Sequence, residues 1–371
     1  AIFVIILYSF WDYNLYGFSQ KTNATMNKFF TIIILFFSAN STANYLNHPD
    51  SNDLVEELVN IHNFEKSYVE EIVFNAKKKQ KILDDMSSPA EFTLTWDRYK
   101  AIFIENKRIQ NGKIFIEKNL ATLKRAEDDF GVPKEIIAAI IGVETRYGKI
   151  QGNHRVIDSL FTLGLDYPRR SKFFRSELIN FFLLTRENNL DILKIKGSYA
   201  GAMGYGQFIS SSYRSYAIDY DDDGVADLFG SVDDAIGSVA NYLVKRGGWK
   251  RDGQIIQEVK LNTPRLTYTP NPASNKFIPL LFSEGEDIYY IVKSGDTLSD
   301  IALQNDLSTK SLAKLNNIKN ENKLFAGQKI LVRKKKDLYF IGDDNFIAIT
   351  KYNISHFYAM AVYYLSEELK K

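Results

Sequence analysis

The sequence predicts a mainly α-helical protein, interrupted late in the chain by one small βααβ unit. Three observations carry that expectation. Apolar residues recur at helical spacing over residues 50–195, as in Leu54, Leu58 and Ile61, or Trp96, Tyr99, Ile102 and Phe103. A long apolar helix is expected from Pro133 to Tyr147, opened by Gly131 and Pro133 and closed by Gly148. Tyr290–Ala302 then reads as strand, turn and a helix capped by Asp296 or Thr297. A second helix through Ser311–Leu315, with Asn316 near its end, and a closing strand at Gly327–Val332 complete the unit.

Residues 50–130 supply helices leading into the central one. Lysine is dense through Ile72–Ile82, and Tyr99 reads as a core aromatic. In the central helix Ile137, Ile140 and Ile141 make one apolar stripe, and the next position on it is Glu144. A carboxyl on a buried face is costly unless paired or protonated. Desolvation raises its pKa, as a general acid at neutral pH requires. The alternative is a structural ion pair, with Arg146 the nearest candidate.

Val156–Leu163 and Phe173–Leu184 continue as apolar helices, with Tyr167-Pro168-Arg169-Arg170 between them. The adjacent arginines either hold an anionic group or solvate a surface. Gly197–Phe208 places four glycines among Tyr199, Tyr205 and Phe208. Glycine lets backbone approach a ligand closely, and flat aromatic faces suit sugar rings. The stretch lacks the Gly-Lys-Ser/Thr ending of a phosphate loop; tight helix packing is its plainer explanation.

Asp219-Tyr220-Asp221-Asp222-Asp223-Gly224-Val225 has acids at positions 1, 3 and 5 and glycine at 6, the opening of an EF-hand calcium loop, with Val225 offering its carbonyl from position 7. Position 12, usually Glu, is Gly230; Asp233 and Asp234 follow and can close the loop. Residues 264–279 hold Pro264, Pro270, Pro272 and Pro279 and read as irregular connection.

Composition bounds the rest. The chain has 371 residues, enough for two or more domains, and 45% hydrophobic with 25% charged residues is a globular balance. Lys plus Arg is 47 against 45 for Asp plus Glu, so no nucleic-acid footprint appears. Without cysteine there is no disulfide, thiol catalysis or lipid-modified cysteine. Four scattered histidines make a histidine-rich zinc site unexpected. Residues 1–25 lack Met and read as an upstream extension absent from the mature protein. Residues 26–43 read as a cleaved signal peptide: Lys28, the apolar run Phe29–Phe37, then small residues at Ser41-Thr42-Ala43.

Val292–Leu298, Leu315-Asn316 and Gly327–Ile330 resemble a LysM domain over residues 289–333, a module that binds N-acetylglucosamine-containing glycans such as peptidoglycan. Gly142–Gly148, Tyr167–Arg170, Gly197–Phe208, the aspartate loop, Gly237–Tyr242, Asn345–Asn353 and Tyr358–Val362 resemble the lytic murein transglycosylase B family. That resemblance covers roughly residues 50–280 and 338–371 and implies a discontinuous domain of lysozyme-like fold, residues 50–286 and 337–371, around the LysM insert. It implies cleavage of the β-1,4 bond between N-acetylmuramic acid and N-acetylglucosamine with closure of a 1,6-anhydro ring. Glu144 falls on the catalytic acid. Ser198, Gln207, Tyr242, Tyr352 and Asn353, together with Tyr99, Arg170 and Tyr358, fall on glycan-binding positions. Asp219, Asp221, Asp223, Val225 and Asp234 fall on the ligand loop of a structural Ca²⁺; no organic cofactor is implied. Lys351 departs from the arginine common before Tyr-Asn. The missing cysteine implies a periplasmic form without a stable membrane anchor, partnered by peptidoglycan strands and not by nucleic acid.

The residues fit that chemistry. Hydrolytic glycosidases use two carboxylates, and no second acid accompanies Glu144 in its motif. One carboxyl suffices if it acts first as acid and then as base. A hydrolytic muramidase, a non-catalytic LysM peptidoglycan-binding protein and a calcium-regulated structural protein are the competing readings.

Overall fold

The structure is a computed structural model in which residues 45–87, 94–259, 261–262, 265–266 and 278–371 are described. The expected signal peptide, the upstream extension and Pro264, Pro270 and Pro272 lie outside those residues. The chain divides into two units, residues 1–89 with 151–215, and residues 90–150 with 216–371.

The first unit begins with α1 (Ser51–Asn60), α2 (Lys66–Asn75) and α3 (Gln80–Ser87). The chain leaves it and, in the second unit, forms α4 (Trp96–Phe103), α5 (Asn106–Lys118), α6 (Leu120–Phe130) and α7 (Lys134–Thr145). It re-enters the first unit through β1 (His154–Arg155), α8 (Val156–Asp166), α9 (Ser171–Glu187), β2 (Lys196–Gly197) and α10 (Ser210–Tyr216). Within this unit α8 packs on α9 and α3. Buried Asp158 fixes the α8 start: its carboxylate accepts from Arg155 and from the Lys77 backbone N–H at 2.9 Å.

The second unit continues with α11 (Val232–Tyr242), then β3 (Ile256–Glu258), β4 (Leu261–Asn262), β5 (Arg265–Leu266) and β6 (Ile278–Glu284). The βααβ segment follows as β7 (Ile288–Ile291), α12 (Leu298–Gln304), α13 (Thr309–Leu315) and β8 (Lys329–Arg333); β9 (Lys336–Gly342), α14 (Asp344–Tyr352) and α15 (His356–Lys370) end the chain. Thr297 and Ser308 cap α12 and α13 through their side chains, so of the two candidate caps Thr297 is the one used. Pro279, expected in irregular connection, instead sits in β6 opposite Ile341. The sheet order β3-β9-β6 makes β6 an edge strand, where a missing N–H is tolerated.

The central helix is buried on every side from Glu135 to Thr145, not along one stripe. It packs against α15, α5, α6 and α11, and a helix apolar all round belongs inside. It also ends two residues before the expected Tyr147. Arg146 and Tyr147 take φ of 53° and 61°, and Thr145 Oγ1 accepts the Gly148 N–H at 2.9 Å. The Tyr147 ring folds back over Gly142, where a Cβ would lie 2.6 Å from it, so glycine is required there. Among the described residues no helix is long and apolar enough to cross a membrane.

Candidate active site and metal loop

The last turn of α7 carries Glu144, 4% exposed. Burial pushes its carboxyl up to about 7, opposed by a hydrogen bond from Tyr358. Tyr358 Oη donates to Glu144 Oε1 at 2.8 Å from the first turn of α15, 214 residues away. Ser355 caps that helix by accepting the Tyr358 backbone N–H, which fixes where the tyrosine leaves the backbone. Arg146, the nearest ion-pair candidate for Glu144, pairs with Glu105 instead.

Aromatic rings wall the carboxyl. Tyr352, at the end of α14, stacks on Tyr358 with centroids 6.5 Å apart and planes 6° apart. Tyr242 meets Tyr352 edge-on at 4.8 Å, and Tyr216 meets Tyr242 at 5.0 Å. Tyr242 Oη donates to the Lys351 carbonyl at 2.8 Å, so the backbone of the residue that departs from the family pattern has a positioning task. Burial and the neighbouring Glu144 carboxylate hold the phenols of Tyr352 and Tyr358 far above their ordinary range, so both stay protonated donors. Asn353 is buried directly after α14. Tyr99 is buried against the rings of Trp96, Phe103 and Phe357, as its core reading expected. Tyr216 was missed in the sequence; no motif surrounds it, and its place follows from the packing of Tyr242.

The remaining candidates belong to the first unit. Ser198 Oγ accepts the Ala202 N–H at 3.0 Å and the Ala200 N–H at 3.3 Å, closing the glycine-rich turn on itself. Gly197 is needed there, because a Cβ would collide with the Ala202 carbonyl. Gln207 sits at φ 53°, and its amide donates to the carbonyls of Gln151 at 3.1 Å and Gly204 at 3.0 Å. Arg170 lies over the Phe173 ring at 4.2 Å. Glu177, also missed, is buried with its pKa raised by desolvation; it accepts the N–H and hydroxyl of Ser211.

In the aspartate loop the carboxylates of Asp219, Asp221 and Asp223 converge, with oxygens within 4.8 Å of one another. Gly224 takes φ 96° at the sixth position, where the loop must turn. An all-oxygen donor set of this kind fits a hard divalent cation. Asp234 is placed differently from these three. Buried in the first turn of α11, its carboxylate accepts the backbone N–H groups of Tyr220, Asp221 and Asp227 at 2.6, 3.2 and 2.7 Å. Gly230, where Glu was missing, donates its N–H to Asp227 at 3.0 Å in a local turn. Val225 bonds its N–H to Asp223 at 2.9 Å.

The buried carboxyl makes a signed prediction. Its pKa is raised in the folded state, so neutral Glu144 is favoured and the protein loses stability as pH rises from the unfolded value of 4.5 through about 7. Glu144→Gln removes that cost. The variant is expected to melt higher than wild type at pH 8, by up to roughly 3 kcal/mol of stability, and to match it at pH 5. Thermal melts at the two pH values check this; a gain equal at both would mean that the carboxyl does not titrate in this way. Tyr358→Phe removes the bond that favours the ionised form and should move the transition to higher pH.

A family model described as transglycosylase SLT domain matches residues 46–367. The chain is 36% identical over 332 residues to membrane-bound lytic murein transglycosylase B of Escherichia coli, covering 87% of this chain and 83% of the relative. The solved structure of the E. coli lytic transglycosylase Slt35 in complex with calcium is similar with a TM-score of 0.65 and 34% identity, over 88% of this chain and 94% of that one. SltB3 of Pseudomonas aeruginosa in complex with NAG-anhNAM-pentapeptide is similar with a TM-score of 0.62 and 25% identity, over 86% and 79% of the two chains. With its mainly helical, lysozyme-like fold, the chain belongs to the lytic murein transglycosylase B-like family, and it is a lytic transglycosylase.

Proposed function

We propose that the enzyme cleaves the β-1,4 bond between N-acetylmuramic acid and N-acetylglucosamine with Glu144 as its single acid and base. The observation that carries this reading is the buried carboxyl, held near neutrality and hydrogen-bonded by a tyrosine that stays protonated. Protonated Glu144 gives its proton to the glycosidic oxygen as the bond to muramic acid C1 breaks. The sugar's N-acetyl group stabilises the positive centre. The carboxylate then takes the proton of the C6 hydroxyl as that oxygen bonds to C1. One proton is given and one returned, no water is consumed, and the product carries a 1,6-anhydro ring. Tyr358 stabilises the carboxylate between the steps, and Tyr352 and Tyr242 exclude water around it. Tyr99, Tyr242, Tyr352, Asn353 and Tyr358 in the second unit, and Arg170, Ser198 and Gln207 in the first, are the residues we assign to glycan binding. A structure of a similar enzyme holding an anhydro-muramyl peptide supports the product assignment.

We assign a structural Ca²⁺ to Asp219, Asp221 and Asp223, with the Val225 carbonyl, where three carboxylates would otherwise repel one another. Asp234 shapes the loop's backbone around them. A calcium complex of a similar enzyme supports the ion's identity. The ion's charge would offset that repulsion and order the loop.

Residues 289–333 are read as a LysM module inserted into the catalytic domain. In support, the segment has its own core of Val292, Leu298, Ile301, Ala302, Leu312, Ala313, Ile330 and Val332. Its two ends are tied together by β6–β9 pairing down to the Glu284–Lys336 rung. Folded insertions are tolerated where their ends lie close. A periplasmic location after signal cleavage completes the reading.

Four experiments test it. Muropeptides released by wild type should carry 1,6-anhydro ends in mass spectra, and Glu144→Gln should lower lysis by ~10²–10⁴-fold; reducing ends would make the enzyme a hydrolase, and near-normal turnover of the variant would remove Glu144 from its role. Chelation should lower the melting temperature, since calcium at a hundred times its Kd adds about 2.7 kcal/mol, and Asp221→Ala with Asp223→Ala should erase the difference. Replacing residues 285–335 by a short Gly/Ser turn should keep activity on soluble glycan fragments while weakening binding to intact sacculi. Ending the chain after Glu284 should abolish activity, because α14 and α15 are lost; full activity of that truncation would refute the discontinuous domain.

A further inference from the structure

The two-stranded sheet of the βααβ segment has one face that its core does not use. Tyr290 packs against the core and Val292 lies within it, as do Ile330 and Val332, so these side chains point toward α12 and α13. Their neighbours along the strands point the other way. Ile291 pairs with Lys329, Tyr289 with Leu331 and, across an irregularity in register, Ile288 with Arg333. On this outward face Tyr289 and Ile291 are 54% and 58% exposed. Two large exposed apolar side chains side by side on one strand face, with half-buried Leu331 opposite Tyr289, form a patch rather than scattered surface residues.

Positive charge adjoins the patch. Lys329 and Arg333 share the face, and Lys334, Lys335 and Lys336 continue from it, all exposed. Two of the nearby acids are paired with cations outside the segment. Glu284 pairs with Lys100 at 3.5 Å and Glu286 with Arg98 at 3.2 Å. Asp287 accepts the Lys335 backbone N–H at 2.8 Å. Lys335 itself lies 3.8 Å from Asp337. Among the described residues no ion pair is recorded for Lys329, Arg333, Lys334 or Lys336.

We propose that this outward sheet face is a peripheral docking surface for an anionic phospholipid membrane. Such a surface is complementary in both respects: anionic phosphates meet the cations, and hydrocarbon lies just beneath for the aliphatic side chains. Tyrosine suits the interface between them, and lysine and arginine stems cover apolar surface while their charges reach outward. An anionic peptide or glycan would satisfy the cations but leave Tyr289 and Ile291 in water. The attachment is reversible and interfacial, not a span. The basic run Arg333–Lys336, which reads in isolation as a solvated return segment, acquires a task from the strand that the fold sets beside it.

Co-sedimentation of the full chain with vesicles tests this. Vesicles of phosphatidylglycerol and phosphatidylethanolamine should bind wild type at low salt and release it as salt rises, while phosphatidylcholine vesicles should not bind it. Tyr289→Ser with Ile291→Ser, and separately Lys329→Glu with Arg333→Glu, should each weaken binding by about tenfold or more. Both pairs face away from the segment's core, so the melting temperature should be unchanged; if one pair fails to fold, the other pair and the salt dependence of wild type decide. Absence of wild-type binding, equal binding to both vesicle types, or undiminished binding by the folded variants would overturn the proposal. So would variants that lose affinity for sacculi and keep it for vesicles, since the face would then meet cell-wall polymer.

Discussion

The carboxyl of Glu144 is buried, and much of the second unit is arranged to make that tolerable. An ionised carboxylate in an apolar interior is too costly to persist alone. The structure meets the cost in two ways: burial keeps the group protonated near neutrality, and one phenol supplies a hydrogen bond that relieves the ionised form. The helix that carries it is enclosed by α15, α5, α6 and α11, and the helix that carries the phenol must therefore lie against it. The two opposing influences leave the carboxyl able to change protonation near neutrality.

That requirement propagates outward. Tyr358 can donate only if α15 begins where it does, which Ser355 fixes by capping it. Tyr352 can stack on Tyr358 only if α14 ends just before the break, and the bond from Tyr242 to the Lys351 carbonyl holds that end in place. On the other side, Gly142 leaves room for the Tyr147 ring, which lets the chain leave α7 sharply after Thr145. Arg146 turns to Glu105.

The aspartate loop follows a similar logic with opposite charge. Its backbone is gathered by Asp234, which uses its oxygens on three N–H groups. Tyr220 is pressed against Gly237, covered by the Arg125 guanidinium at 3.9 Å and bonded to Asp129. With the backbone held from outside, Asp219, Asp221 and Asp223 face one another. The βααβ segment has a core of its own, and its ends meet on the β6–β9 ladder.

Local pattern sufficed for what depends on neighbours in sequence. Helical spacing located most of the helices, the strand-turn-helix pattern located the βααβ segment, and Glu144 stood out because an acid broke an isoleucine stripe. The spacing of Asp219, Asp221 and Asp223 located their cluster because one turn of chain brings them together. What the tertiary structure alone decided depends on partners distant in the chain. Periodicity marks one apolar face of α7, but only packing against four other helices buries the remaining ones. No rule of spacing joins residue 144 to residue 358, sends Asp234 to backbone donors, places Tyr216 in the aromatic wall or admits Pro279 to an edge strand. Each is a choice among many sterically allowed pairings, made by which helices and strands can close around one core without leaving a charge or a backbone group unmet.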